Sequence, residues 1–141
     1  QIQKYKSRLS GPLMDRIDMH IEVDSVSYDE LRSDELEEPS SSIKARVDKA
    51  REIQLARYKD SGIFSNAKMS DQMVKKFCKI SPESDGILRY AFDKLNLSAR
   101  AYNRILKVAR TIADLEGSVD IKDEHIMEAI SYRSMDNKYW G

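Results

Sequence analysis

Residues 98–116 carry the strongest structural signal in this sequence, because apolar residues recur there at the spacing of an α-helix. Ser98 is a favourable residue to cap the start of such a helix, and Gly117 is favourable just after its end. The apolar side of the predicted helix consists of Tyr102, Ile105, Leu106, Ala109, Ile112 and Ala113. So wide a stripe must be buried, so we expect other elements to pack around this helix.

Similar patterns predict further helices over residues 42–58, 70–78, 81–95 and 122–133. In the first of them, Ile43, Val47, Ala50 and Gln54 share one face. Charged residues make up 34% of the chain, which contains only five glycines and three prolines, and this balance favours helices over a fold with many turns. The sequence therefore predicts a mainly α fold, with a helical bundle over residues 42–133.

Residues 19–23 follow a different pattern, in which Met19, Ile21 and Val23 alternate with polar residues. This period of two predicts a half-buried β-strand, and a strand needs partners for its backbone groups. We therefore expect residues 1–24 to be the end of an α/β core whose other strands precede this chain. Residues 25–41, which contain Pro39 and a serine run, read as a linker or insertion, and residues 134–141 as a loose tail.

The charge balance and the single cysteine exclude several classes of protein. The chain has 24 basic and 24 acidic residues, so no overall field attracts it to nucleic acid or to an anionic membrane. Cys78 has no partner for an internal disulfide, which suits a cytoplasmic protein, and its apolar neighbours favour core packing over nucleophilic chemistry. No apolar run approaches the ~20 residues of a membrane span.

A basic stripe of Arg100, Arg104 and Lys107 lies opposite the apolar side of the helix over residues 98–116. Such a stripe is most often a solvated face. Arg100, however, falls in the first helical turn, where the backbone already carries a partial positive charge and a carboxylate is preferred. An anion at this helix start would turn the same geometry into a phosphate site, although a nearby Asp or Glu would serve as well.

Three segments carry a resemblance to a known family. Residues 97–115, which read LSARAYNRILKVARTIADL, residues 7–18, which read SRLSGPLMDRID, and residues 40–54 closely resemble the magnesium-chelatase-like AAA+ ATPases of the ComM/YifB kind. The resemblance extends from about residue 5 to residue 133. It implies that the helical bundle is an AAA+ lid domain and that residues 1–24 belong to the end of the ATPase core.

The resemblance also implies roles for particular arginines. The residue matching Arg16 is the family's arginine finger, which reaches the ATP of the neighbouring subunit, and the residue matching Arg100 is its second sensor. Both roles suit a guanidinium group, which stays charged and presents a planar set of donors to phosphate oxygens. Arg104 is a further candidate for nucleotide binding. Without the resemblance, Arg16 would be read as a surface residue in an ion pair with Asp15 or Asp18.

The sequence lacks the G-x-x-x-x-G-K-[ST] loop that cradles phosphates, and it shows no acidic strand end for magnesium. We therefore expect this chain to bind and hydrolyse no ATP by itself. ATP and Mg²⁺ are expected in the full-length protein, whose nucleotide core precedes Gln1 and assembles into a homo-oligomer, in this family a hexamer.

The resemblance leaves two alternative functions for the full-length protein, and the sequence allows a third class of function. The closer resemblance implies a DNA motor active in recombination during natural transformation, and the alternative is a chelatase subunit that inserts Mg²⁺ into a porphyrin. A stand-alone helical interaction module is the third reading. Lys4, Lys6 and Arg8 are candidates for contact with DNA, or they simply keep a loop soluble.

Neither histidine is expected to hold a metal. His20 and His125 have no carboxylates or cysteines at the spacing of metal ligands, so an outward-facing or capping role is favoured for both.

Overall fold

The structure is a computed structural model that describes residues 11–32 and 37–133. Its elements, in chain order, are the helices α1 (Gly11–Met14), α2 (Tyr28–Leu31) and α3 (Ser40–Arg57), a 3₁₀ turn (Asn66–Lys68), and the helices α4 (Asp71–Phe77), α5 (Pro82–Leu95), α6 (Ala99–Glu116) and α7 (Asp123–Ser131). The described residues form no β-strand, so the mainly α fold predicted from the sequence is confirmed.

Serine residues set the starts of α4, α5 and α6. Ser70, Ser81 and Ser98 adopt extended backbone angles immediately before these helices. Their hydroxyl oxygens accept hydrogen bonds from the backbone N–H groups of Met73, Ser84 and Ala101, at 3.3, 3.0 and 3.2 Å. Each bond satisfies one of the N–H groups that a helix start leaves without a partner, which is worth about 1 kcal/mol. The start of each helix is thus encoded locally.

Helix α6 lies at the centre of the fold. It contacts α3, α4, α7 and the 3₁₀ turn, and α7 also contacts α5. The largest apolar side chains that are fully buried at this centre are Tyr58, Val74, Leu88, Ile105 and Ile126. Burying a side chain of this size contributes roughly 1.5–3 kcal/mol, so packing around α6 dominates the stability of the bundle.

A buried carboxylate connects α3, the 3₁₀ turn and α6. The Asp114 side chain is fully buried and accepts hydrogen bonds from Arg57, at 2.8 and 2.5 Å, and from Arg110, at 3.2 Å. The Asn66 amide donates a further bond to it at 2.9 Å. The hydrogen bond to Asp114 raises the pKa of Arg57 above its usual value. A buried acid is tolerated here because two guanidinium groups and an amide compensate its charge.

Residues 19–23 do not form the strand that their alternating pattern predicts. They carry no regular secondary structure, and every side chain described from residue 21 to residue 32 is exposed. The reason is that a strand exists only in a ladder with another strand, and the described residues offer none. Ile21 and Val23 are 66% and 86% exposed, so the described residues leave most of the apolar face that the pattern identifies uncovered.

The apolar stripe of α3 is buried only in part. Ala50 and Gln54 are buried, whereas Ile43 and Val47, which share their face, remain 45% and 41% exposed. The C-terminal half of α3 packs on α6, and the N-terminal half extends beyond it. The described residues therefore cover the shared face of α3 only in its C-terminal half.

Cys78 lies in the core, where burial raises the pKa of its thiol to about 11. A thiol with so high a pKa is almost wholly protonated at neutral pH and is a poor nucleophile, in agreement with the structural role expected from the sequence. None of the described helices has the length and apolar character needed to cross a bilayer. The predicted loose tail over residues 134–141 lies outside the described residues.

Candidate functional site

The start of α6 presents an arginine where an acidic residue would be expected. Ser98 caps the helix, and its first turn contains no acidic side chain. Arg100 lies in this turn with its side chain exposed, and among the described residues none forms an ion pair with it. The guanidinium and the helix start together make a patch of positive charge open to solvent, which is suited to an anion such as phosphate.

Arg16 lies just after α1 and is also exposed. Its Nη1 atom donates a hydrogen bond to the carbonyl oxygen of Pro12 at 3.2 Å. Asp15 and Asp18, the acids that a local ion pair would use, lie instead beside Arg133 and Arg104. The reading of Arg16 as part of a local ion pair is therefore wrong, and the end of its side chain is available to a group outside the described residues.

The rest of the basic stripe on α6 contacts the protein itself. Arg104 forms an ion pair with Asp18, and the Lys107 ammonium donates to the carbonyl oxygen of Ala67 at 3.3 Å. These contacts occupy the two cations one and two turns beyond Arg100. Nucleotide binding by Arg104 stays a prediction, and the structure gives this residue a different partner.

The segment from residue 11 to residue 20, which we call the Arg16 segment, lies against the C-terminal end of α7. Arg133 is fully buried, donates a hydrogen bond to the carbonyl oxygen of Ile17, and lies 3.7 Å from the carboxylate of Asp15. The backbone N–H of His20 donates to the carbonyl oxygen of Tyr132 at 2.7 Å. These contacts bring the Arg16 segment and the C-terminal end of α7 together.

Sequence reasoning singles out neither Arg133 nor Arg110. Arg110 is 4% exposed and belongs to the buried network around Asp114, and Arg133 is 0% exposed. Arginines are rarely buried so deeply, and neither position stands out from its neighbours in the sequence. The candidates Lys4, Lys6 and Arg8 lie outside the described residues.

Glu116, Glu124 and His125 lie close enough together to suggest a metal site. The backbone N–H of Lys122 donates to Nδ1 of His125 at 3.0 Å, so the imidazole carries its proton on Nε2, which faces Glu116. The hydrogen bond from His125 lowers the pKa of Glu116. A metal ion on Nε2 would require the opposite tautomer, with two N–H groups facing each other at Nδ1. His125 therefore caps α7, so of the two roles expected for it, outward-facing or capping, the structure shows the second, with the side chain buried.

The chain matches two models of known protein families. A family model described as the C-terminal part of magnesium chelatase subunit ChlI matches residues 37–133, and a model of magnesium chelatase subunit ChlI matches residues 1–31. The chain belongs to the magnesium chelatase ChlI family. Within it, Arg16 falls in the second match, and Arg100, Arg104 and Arg133 fall in the first.

Proteins of several bacteria are similar to this member of the magnesium chelatase family along nearly its whole length. Competence protein ComM of Haemophilus influenzae is 42% identical over 136 residues, which cover 96% of this chain and 26% of ComM. The uncharacterised protein YifB of Escherichia coli is 39% identical over 137 residues, again 96% of this chain and 26% of YifB. An uncharacterised protein of Mycobacterium tuberculosis is 32% identical over 133 residues. The chain thus spans about a quarter of the length of these relatives.

Proposed function

We propose that this chain is the sensor and lid region of a hexameric AAA+ ATPase of the ComM kind. In this proposal, Arg100 contacts the phosphates of bound ATP, and Arg16 reaches the ATP of the neighbouring subunit. ATP and Mg²⁺ are held by the nucleotide core that precedes this region in the full-length protein, which acts in the cytoplasm. The observation that carries the proposal is the exposed Arg100 guanidinium in the first turn of a capped helix, where no acidic side chain among the described residues pairs with it.

Simple electrostatics supports the role of Arg100. A helix start and an arginine together place positive charge and unsatisfied N–H donors at one point, and both are stabilised by an anion of high charge density. The γ-phosphate of ATP is such an anion, and charge develops on it and on its leaving group during hydrolysis. Arg104 and Lys107 have partners within the protein, so Arg100 is the member of the basic stripe best placed for this role.

A motor that acts on DNA is the parent activity that we favour over metal insertion into a porphyrin. The similarity to a competence protein, at 42% identity along 96% of this chain, supports a role in recombination during natural transformation. The family's name supports the alternative, in which ATP hydrolysis drives insertion of Mg²⁺ into a porphyrin. In either case the work is done by the full-length protein, and the residues described here regulate its ATP cycle.

Replacing Arg100 with alanine in the full-length protein is expected to lower kcat for ATP hydrolysis on the order of 10²-fold, because a donor aimed at developing phosphate charge is removed. Arg89→Ala is a matched control, since Arg89 is an exposed arginine of α5 that pairs with Asp85 on the same helix. Steady-state ATPase assays at saturating ATP measure both variants. Equal kcat values for Arg100→Ala, Arg89→Ala and the unaltered protein would refute the sensor role.

The two parent activities predict different responses of the full-length ATPase to added substrates. A DNA motor is expected to hydrolyse ATP several times faster with branched or single-stranded DNA, and to unwind or migrate a labelled DNA junction. A chelatase subunit is expected to ignore DNA and to respond to a porphyrin with its partner subunits. ATPase rates with each addition, measured on the same preparation, distinguish the two. Stimulation by porphyrin alone would reverse our preference.

A further inference from the structure

We propose that Arg133 and Arg104 are positioning residues that fasten the Arg16 segment to the helical bundle, so that Arg16 moves as one body with α6 and α7. The inference rests on the proposed function in that it takes Arg16 as the residue to be positioned. The fastening itself is a property of this chain and stands on contacts among its described residues.

The first contact is made by a buried cation. The Arg133 side chain is 0% exposed, and a guanidinium is stable in such a place only when hydrogen bonds and a counter-charge replace its water. The Arg16 segment supplies both, through the carbonyl oxygen of Ile17 and the carboxylate of Asp15. Moving the segment away would strip a buried charge of these partners. The contact therefore resists separation of the segment from the end of α7.

The second and third contacts are made further along the segment, after Arg16. Asp18 forms an ion pair with Arg104 of α6, and the backbone N–H of His20 donates to the Tyr132 carbonyl oxygen. The His20 side chain is 8% exposed, so this end of the segment is buried as well. Because residues before and after Arg16 are held in place, its backbone can move little, and only its side chain is free to rotate.

The arrangement connects the two proposed ATP-sensing residues. Arg104 is four positions after Arg100, so both lie on the same face of α6, one turn apart. A movement of α6 that follows ATP binding at Arg100 is therefore carried, through Arg104 and Asp18, to the segment that bears Arg16. Since Arg16 is proposed to act on the neighbouring subunit, the fastening offers a mechanical route from one ATP site to the next.

Hydrogen exchange on this 141-residue chain tests the fastening without any ATPase activity. The His20 amide is expected to be protected in the native chain and to exchange at least about tenfold faster in Arg104→Asp, because its hydrogen bond to Tyr132 opens more often. The charge swap Arg104→Asp with Asp18→Arg is expected to restore protection. A swap at Arg89 and Asp85, an exposed ion pair on α5, is the control and is expected to leave the His20 amide unchanged.

The positioning role is tested in the full-length protein with the same variants and Arg133→Met. Arg104→Asp and Arg133→Met are each expected to lower kcat about 10–100-fold, with KM for ATP changed less than about twofold, because a catalytic group displaced by about 1 Å loses that much rate. The charge swap is expected to restore kcat. Rescue by the swap separates positioning from a direct contact with ATP, since the swapped residue 104 is an aspartate.

Two results would overturn the proposal. If the His20 amide exchanges equally fast in the native chain and in Arg104→Asp, the segment is not fastened as described. If exchange accelerates while kcat stays within about twofold of the native value, the fastening exists but does not position a catalytic group. Failure of the proposed function looks different, because Arg16→Ala would then leave kcat unchanged whatever the exchange of His20 shows.

Discussion

Replacing Arg16 with alanine in the full-length protein is expected to lower kcat for ATP hydrolysis by about 10³-fold or more, because an arginine supplied to the transferred phosphoryl group contributes on that scale. The fold should be unaffected, since Arg16 is exposed and its described hydrogen bond is to the Pro12 carbonyl. Steady-state ATPase assays measure the loss, and size-exclusion chromatography confirms assembly. Arg32→Ala, at another exposed arginine, is the control and should retain full activity.

Mixing experiments then show on which subunit Arg16 acts. Arg16→Ala subunits retain a complete nucleotide site but lack the arginine. Subunits in which the lysine of the G-x-x-x-x-G-K-[ST] loop of the ATPase core is replaced have a defective nucleotide site but retain Arg16. At mixed interfaces the two together form a complete site, so mixing is expected to restore part of the activity that each variant lacks alone. Arg100→Ala should not be rescued in this way if it senses the ATP of its own subunit. Full activity of an assembled Arg16→Ala hexamer would show that Arg16 is not the arginine finger.

Asp114→Ala is expected to destabilise the chain by about 3–5 kcal/mol, because it leaves two guanidinium groups in the core without their counter-charge. The side chains of Arg57 and Arg110 are 15% and 5% exposed, so water cannot replace the carboxylate well. Arg110 keeps its hydrogen bonds to the carbonyl oxygens of Ser118 and Val119, at 2.8 and 2.9 Å, which compensate only part of the loss. Urea denaturation followed by circular dichroism measures the change.

The matched control for Asp114 is Asp85→Ala. Asp85 pairs with Arg89 at 3.4 Å on the surface of α5, where both side chains are largely exposed. An exposed pair of this spacing is worth roughly 0.3–0.5 kcal/mol, so this variant should be nearly as stable as the native chain. A loss of less than about 1 kcal/mol in Asp114→Ala would mean that the buried network does not hold α3 against α6.

The helices of this fold can be predicted from the sequence because their signals are local. Each of α4, α5 and α6 starts at a serine that caps it, and the apolar stripes repeat at the helical period. The strand over residues 19–23 fails for the opposite reason. Its alternation describes which side chains are apolar, but a strand is completed by a partner that the described residues do not contain.

The residues of the candidate site also differ in whether the sequence alone can reveal them. Arg100 can be found from the sequence because an arginine in a first helical turn contradicts a local electrostatic rule. Arg133 cannot, because its bond to the Ile17 carbonyl joins residues 116 positions apart, and no short pattern records such a contact. Asp114 has the same difficulty, since its partner Arg57 lies 57 positions away. Sequence reasoning therefore finds groups that face outward, while the groups that hold them in place appear only in three dimensions.

The exposed stretch between His20 and α3 also bears on how chain length varies in this family. The backbone N–H of His20 is bonded to Tyr132, and the side chains described between His20 and α3 are all exposed, so this stretch adds little to the buried core. Doubling the length of a flexible loop costs only about 0.6 kcal/mol. A comparison of lengths between these two points across relatives should therefore show wide variation. Insertions here, even of a whole folded module, would add new contacts to the molecule while Arg16 and Arg100 keep their places.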